Sequence, residues 1–129
     1  MKPEITMSIM KEDVGYSAYT MVGNNSINTF ADSWNELEDM IIEAVNLTFE
    51  EEGFTYTIDE IKLTYDLESF FSFYRVINAK ALSERIGMNQ SLLAQYIKGI
   101  KKPSTKQTKR ILEGVQQIGR ELSEVQFLL

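Results

Sequence analysis

Apolar and polar positions alternate along the first third of the chain. Ile5, Met7 and Ile9 alternate with Thr6, Ser8 and Met10, and Tyr16 to Val22 alternates again in aromatic and β-branched types, with the turn residues Lys11 to Gly15 between the two runs. This two-residue period predicts an antiparallel hairpin with one face buried. Gly23-Asn24-Asn25 makes the next turn and a third strand follows near Ser26 to Phe30, completing a three-stranded meander. The period then changes. Trp34, Leu37, Ile41, Ala44, Val45 and Thr48 recur at three- and four-residue spacings after Asp32 or Ser33, with Glu36 placed as in a capping box, so a helix packs one face on the sheet. Around residues 58–65, Ile61, Leu63 and Tyr65 alternate with Lys62 and Thr64 as a fourth strand.

From Asp66 onward the pattern is helical throughout. Asp66 caps a helix whose Leu67, Phe70, Phe71 and Tyr74 share one face, read as the first helix of a C-terminal domain. Asn78 caps a second, which Gly87 ends; Asn89 caps a third, which Gly99 ends. Ser104 and Gln107 start a last helix reaching toward Val125. Its Ile111, Val115, Ile118, Leu122 and Val125 repeat at alternating spacings of four and three, a seam that suits either packing on the preceding helices or pairing with a second copy. The tail Phe127-Leu128-Leu129 is apolar and suits docking on its own chain or another protomer.

At about 100° per residue, Leu92, Leu93, Tyr96 and Ile97 of the third helix fall on one side. The opposite side carries Ser91, Ala94, Gln95 and Lys98, with Gln90 at the open N-terminal end. A small, polar and basic helix face suits the major groove, where Gln pairs bidentately with adenine, Ser bonds several base edges, and Lys reaches guanine or phosphate. Lys101, Lys102, Ser104 and Lys106 follow at once and would grip the DNA backbone.

The stretch Asn78 to Ser104, with its Gly87-Met88-Asn89-Gln90-Ser91 turn, Leu93, Tyr96 and closing Gly99-Ile100-Lys101-Lys102-Pro103-Ser104, resembles the repressor-type helix-turn-helix of phage repressors and their bacterial relatives. Ser83 stands where that family usually has Ala, and Ala79 where a Gln often contacts phosphate. The preceding order of three strands, helix and strand brings a second likeness. With Asp13-Val14-Gly15-Tyr16, the segment Ala31-Asp32-Ser33-Trp34-Asn35-Glu36-Leu37 and Glu43-Ala44-Val45, it resembles the N-terminal domain of HicB-type antitoxins, although the Pro- and Gly-Cys-containing segment usual there is replaced by Gly23-Asn24-Asn25-Ser26. These resemblances imply an α+β chain. Residues 1–66 would form a partial ribonuclease H-like domain and residues 67–129 an all-α helix-turn-helix domain. The implied function is a DNA-binding, self-repressing antitoxin whose first domain neutralises a small basic RNA-cleaving toxin. A plain transcription regulator whose first domain senses a ligand or mediates assembly is the alternative; either would bind double-stranded DNA as a homodimer or higher homo-oligomer.

Charge changes this picture in one respect. The net charge of −6 opposes nucleic acid binding, but residues 1–70 hold 15 acidic and 3 basic side chains (−12) and residues 71–129 hold 4 and 10 (+6). Local potential governs docking, so a basic half can meet phosphate while an acidic half attracts a basic partner. The chain has no cysteine and no histidine, which removes disulfides, thiolate metal sites and the commonest general base. A cytoplasmic protein without cofactors is expected, with no run of roughly 20 apolar residues to span a bilayer. Catalysis is not expected either. A ribonuclease H-like nuclease needs carboxylates converging on metal from its strands, whereas these strands supply Ile, Met, Ser, Thr and Tyr, with only Glu4 and Glu60 beside them. The run Glu50-Glu51-Glu52 would diverge by about 100° per residue on a helix, too widely to share one ion.

Overall fold

A computed structural model describes residues 1–129. The chain is α+β, with one four-stranded mixed sheet and five α-helices. It divides into two compact units, Met1–Phe73 and Tyr74–Leu129.

In the first unit, β1 (Ile5–Lys11), β2 (Tyr16–Val22) and β3 (Asn25–Ala31) form the meander. Helix α1 (Trp34–Thr48) follows, then a 3-10 turn (Ile58–Glu60), and β4 (Ile61–Tyr65) returns parallel to β1, giving the order β3-β2-β1-β4. The alternating residues behave as the period requires: Ile5, Met7 and Ile9 are fully buried, packed in one core with Ala18, Ile27 and Ile61, while Thr6, Ser8 and Met10 face outward. Leu37, Ile41 and Val45 supply the helical side of the same core. The Ser33 hydroxyl oxygen accepts the Glu36 N–H at 3.3 Å, starting α1. On the same helix Asn46 exchanges two hydrogen bonds with the backbone of Tyr56, and the Tyr56 hydroxyl donates to the Pro3 carbonyl at 2.6 Å.

Helix α1 stops at Thr48, so Glu50 to Glu52 lie in turns and not on a helix. The Phe54 N–H closes this turn on the Phe49 carbonyl, and Phe49 and Tyr56 are buried against each other, which pulls the chain out of the helical path.

The helix α2 (Leu67–Phe73) starts at Asp66, whose carboxylate accepts the Ser69 N–H at 2.8 Å. It does not open the second unit. Its buried Ser69 hydroxyl accepts the Lys11 N–H of β1 at 2.8 Å, and Phe73 stacks on Tyr16 with ring centres 4.3 Å apart. Phe73 also meets Trp34 at 4.8 Å and Tyr65 at 5.4 Å. The boundary therefore falls at Phe73 and not at Asp66, because aromatic burial fastens α2 to the sheet it follows.

The second unit contains α3 (Ala79–Ile86), α4 (Gln90–Ile97) and α5 (Thr105–Glu124), with α3 packed on both others. Leu82, Met88, Leu93 and Ile111 are buried. Of the α5 seam only Ile111 is buried; Val115 and Ile118 are half-buried, and Leu122 and Val125 are exposed, as is the tail Phe127 to Leu129.

Each unit carries an exposed ion pair whose carboxylate lies below the ordinary glutamate range. The Glu60 carboxylate lies below the usual glutamate range, first through its hydrogen bond from Lys2 (2.6 Å) and then through the Thr57 N–H. Glu121 is lowered by Arg85 (2.6 Å) and then Gln117. A carboxylate whose pKa is lower folded than unfolded contributes stability that is present above its unfolded value and lost as pH falls through the folded one. Lys2→Gln should return the Glu60 titration toward the ordinary range and remove its share of this acid-side loss. Carboxyl-carbon NMR titration measures the first effect and acid unfolding the second.

Candidate nucleic-acid interface

Three residues separate α3 from α4, and local chemistry fixes their path. Gly87 adopts the left-handed conformation (φ 67°), which an L side chain would oppose, and the Met88 N–H then turns back to the Ser83 carbonyl at 2.9 Å. Asn89 accepts the Leu92 N–H at 3.1 Å and so begins α4. The Ser83 hydroxyl, buried between helices, donates to the Lys80 carbonyl at 2.6 Å, so serine is accommodated there without an unpaired polar atom.

Two residues that carry this geometry have no signature in the sequence. Arg110 on α5 donates from Nη2 to the Ile86 carbonyl at 2.8 Å and the Gly87 carbonyl at 2.7 Å, and from Nη1 to Gln107 at 3.2 Å. It thus satisfies the carbonyls left open where α3 ends, at the negative end of that helix. Gly114 allows α5 to lie close to α3: a Cβ there would overlap the Ile86 Cγ2 and sit 3.3 Å from Leu82 Cδ1. Neither was legible locally, since the carbonyls that Arg110 holds lie 23 and 24 residues away and the side chains facing Gly114, Ile86 and Leu82, belong to a different helix.

On the helix so mounted, Leu93 is buried on one side, Ser91 and Lys98 are exposed on the other, Gln90 is exposed at the N-terminal end, and Ala94 and Gln95 are half-buried. The Gln95 carbonyl accepts the N–H groups of Ile100 and Lys101, bending the chain back after α4. Lys101, Lys102, Ser104 and Lys106 are exposed. Ser104 is partly committed: its hydroxyl oxygen accepts the Gln107 N–H at 3.2 Å as the cap of α5, which leaves its proton to donate. Thr105 and Lys106 lie in the first turn, where helical N–H groups have no intrahelical acceptor. None of Lys98, Lys101, Lys102 and Lys106 joins any of the chain's three ion pairs.

No family model, curated protein or solved structure matches this chain. Its chemistry is therefore read from its own geometry. Four unpaired ammonium groups, two amides and two hydroxyls lie on α4 and the segment leading into α5, a set of donors suited to phosphate oxygens and base edges. The strand-adjacent acids are differently placed: Glu60 is held by Lys2 at 2.6 Å and Glu4 by Lys62 at 3.4 Å. No group of three His, Cys, Asp or Glu side chains is placed to hold a metal ion. No helix is long and apolar enough to cross a membrane.

Proposed function

We propose that this chain is an antitoxin-type transcriptional regulator: α4 and the lysines after it bind operator DNA, and the acidic first unit binds a small basic RNA-cleaving toxin in the cytoplasm. The observation that carries the DNA reading is the outward face of α4, with Gln90, Ser91 and Lys98 exposed and the helix held by the Gly87 turn and the Arg110 clamp. In this reading α3 and α4 act as a repressor-type helix-turn-helix. The meander, α1 and parallel β4 of the first unit support its likeness to HicB-type antitoxins, in which a partial ribonuclease H-like fold serves binding and not catalysis. Blocking the toxin's RNA-binding surface needs no reaction by this chain. The exposed end of the α5 seam, Leu122 and Val125, supports pairing of two copies on a two-fold operator.

Fluorescence anisotropy with DNA from upstream of the gene and a scrambled control tests the proposal. Gln90→Ala should weaken binding to the cognate DNA by about 1–3 kcal/mol and spare the scrambled DNA, while Lys102→Ala should weaken both. A dimer contacting about five phosphates per protomer should show a log–log salt slope of roughly −9. Equal losses on both DNAs for both variants would remove direct readout by α4, and absence of binding at low salt would remove DNA as the ligand.

A further inference from the structure

We propose that the free edge of β3 and the face of α1 beside it form a docking groove for an extended, basic segment of a partner protein. The inference rests on the reading of the first unit as the partner-binding half and names where and how the partner is held.

Strand β3 ends the sheet, and its sequence Asn25 to Ala31 contains no charge and no proline, the usual devices that discourage another strand from pairing. Its register opposite β2, across a two-residue turn between Val22 and Asn25, fixes which backbone groups are spent. The residues flanking such a turn form a hydrogen-bonded pair and pairs alternate thereafter, so Asn25, Ile27, Thr29 and Ala31 bond to β2. The N–H and C=O groups of Ser26, Asn28 and Phe30 therefore point away from the sheet.

Beside this edge lies a groove of about 530 Å³ whose lining includes Val14, Phe30, Asp32, Glu36, Asp39 and Met40. Its three carboxylates belong to none of the chain's ion pairs, and no basic residue lines it. Val14 is 80% exposed and Phe30 62%, so the groove offers apolar contact beside uncompensated negative charge. Charge complementarity selects the occupant. A strand added to β3 turns alternate side chains toward α1, where Arg or Lys would meet Glu36 and Asp39, and the backbone ladder supplies affinity without demanding one sequence. A second copy of the same edge would bring carboxylate against carboxylate, which disfavours self-pairing here.

The test uses the full chain and an end-blocked hexapeptide of alternating Arg and Val, together with the same peptide N-methylated at alternate amides. Titration is followed by backbone amide NMR and anisotropy. The Arg-Val peptide should shift amides over residues 26–32 and 36–40, and N-methylation should weaken it about tenfold, since it removes the ladder donors. The Glu36→Gln/Asp39→Asn variant should weaken it by a similar factor, whereas Glu51→Gln/Glu52→Gln should leave it unchanged. Binding that resists N-methylation, or that falls equally with Glu51 and Glu52, would overturn the groove while leaving the first unit as a binder of basic proteins. No binding at low salt would overturn both.

Discussion

Replacing Gly114 by valine should destabilise the second unit by about 3 kcal/mol and weaken DNA binding while the first unit keeps its stability. A helix-interior glycine ordinarily costs about 1 kcal/mol relative to alanine, so its replacement is expected to stabilise. Here space reverses the sign. A Cβ at Gly114 would overlap the Cγ2 of Ile86, a β-branched side chain with little freedom to rotate away, and would press on Leu82, which is itself buried. Valine adds two further carbons and should cost about 3 kcal/mol. A unit as short as residues 74–129 has a total stability of about 3–8 kcal/mol at roughly 0.05–0.15 kcal/mol per residue, so this cost is a large fraction of it. Gly119, on the same helix, is the matched control: nothing lies within 4 Å of its Cβ position. Gly119→Ala should therefore stabilise by about 0.5–1 kcal/mol. The single tryptophan, Trp34, lies in the first unit, so its fluorescence follows that unit alone, while the far-ultraviolet helical signal, to which α3, α4 and α5 contribute more residues than α1 and α2, follows mainly the second. A Gly114→Val protein that melts like the parent by both signals would mean that α5 does not need its close approach to α3.

Local patterns and distant contacts contributed unequally to this structure. The alternation of Ile5, Met7 and Ile9 and the caps at Ser33, Asn78, Asn89 and Ser104 are written within a few residues of where they act, and the structure places them as the pattern requires. Asp66 likewise caps a helix as expected, yet the aromatic spacing of α2 says only that one face is buried, not against what. Its partners Lys11, Tyr16 and Trp34 lie 58, 57 and 39 residues upstream of the α2 residues they meet, and they moved the domain boundary from Asp66 to Phe73. The α5 seam shows the same limit: an apolar spacing identifies Ile111 and Leu122 equally, but only Ile111 is covered by its own chain. The exposed candidate residues of α4 were legible from helical angle alone, whereas the Arg110 clamp that holds their mount was not, because nothing local distinguishes it from a solvated arginine.

The displaced boundary itself has a measurable consequence, because Phe73 is the residue through which α2 joins the first unit. Its ring lies within 5.4 Å, centre to centre, of Tyr16, Trp34 and Tyr65, an aromatic cluster that joins β2, the start of α1 and the end of β4. Phe73→Ala removes the common member of those pairs and should destabilise the first unit by about 3 kcal/mol, at the lower end for a phenylalanine truncation because the ring is only partly buried. Phe73→Leu keeps much of the apolar volume but loses the ring geometry, so it should recover part of the loss, with about 1 kcal/mol remaining from the aromatic contacts. Urea unfolding followed by Trp34 fluorescence reads both, since the indole lies 4.8 Å from the Phe73 ring and should also change its native emission. The helical transition of the second unit should not move. If the alanine variant shifted that transition and left the Trp34 signal untouched, α2 would belong with the helices that follow it, and the boundary would return to Asp66.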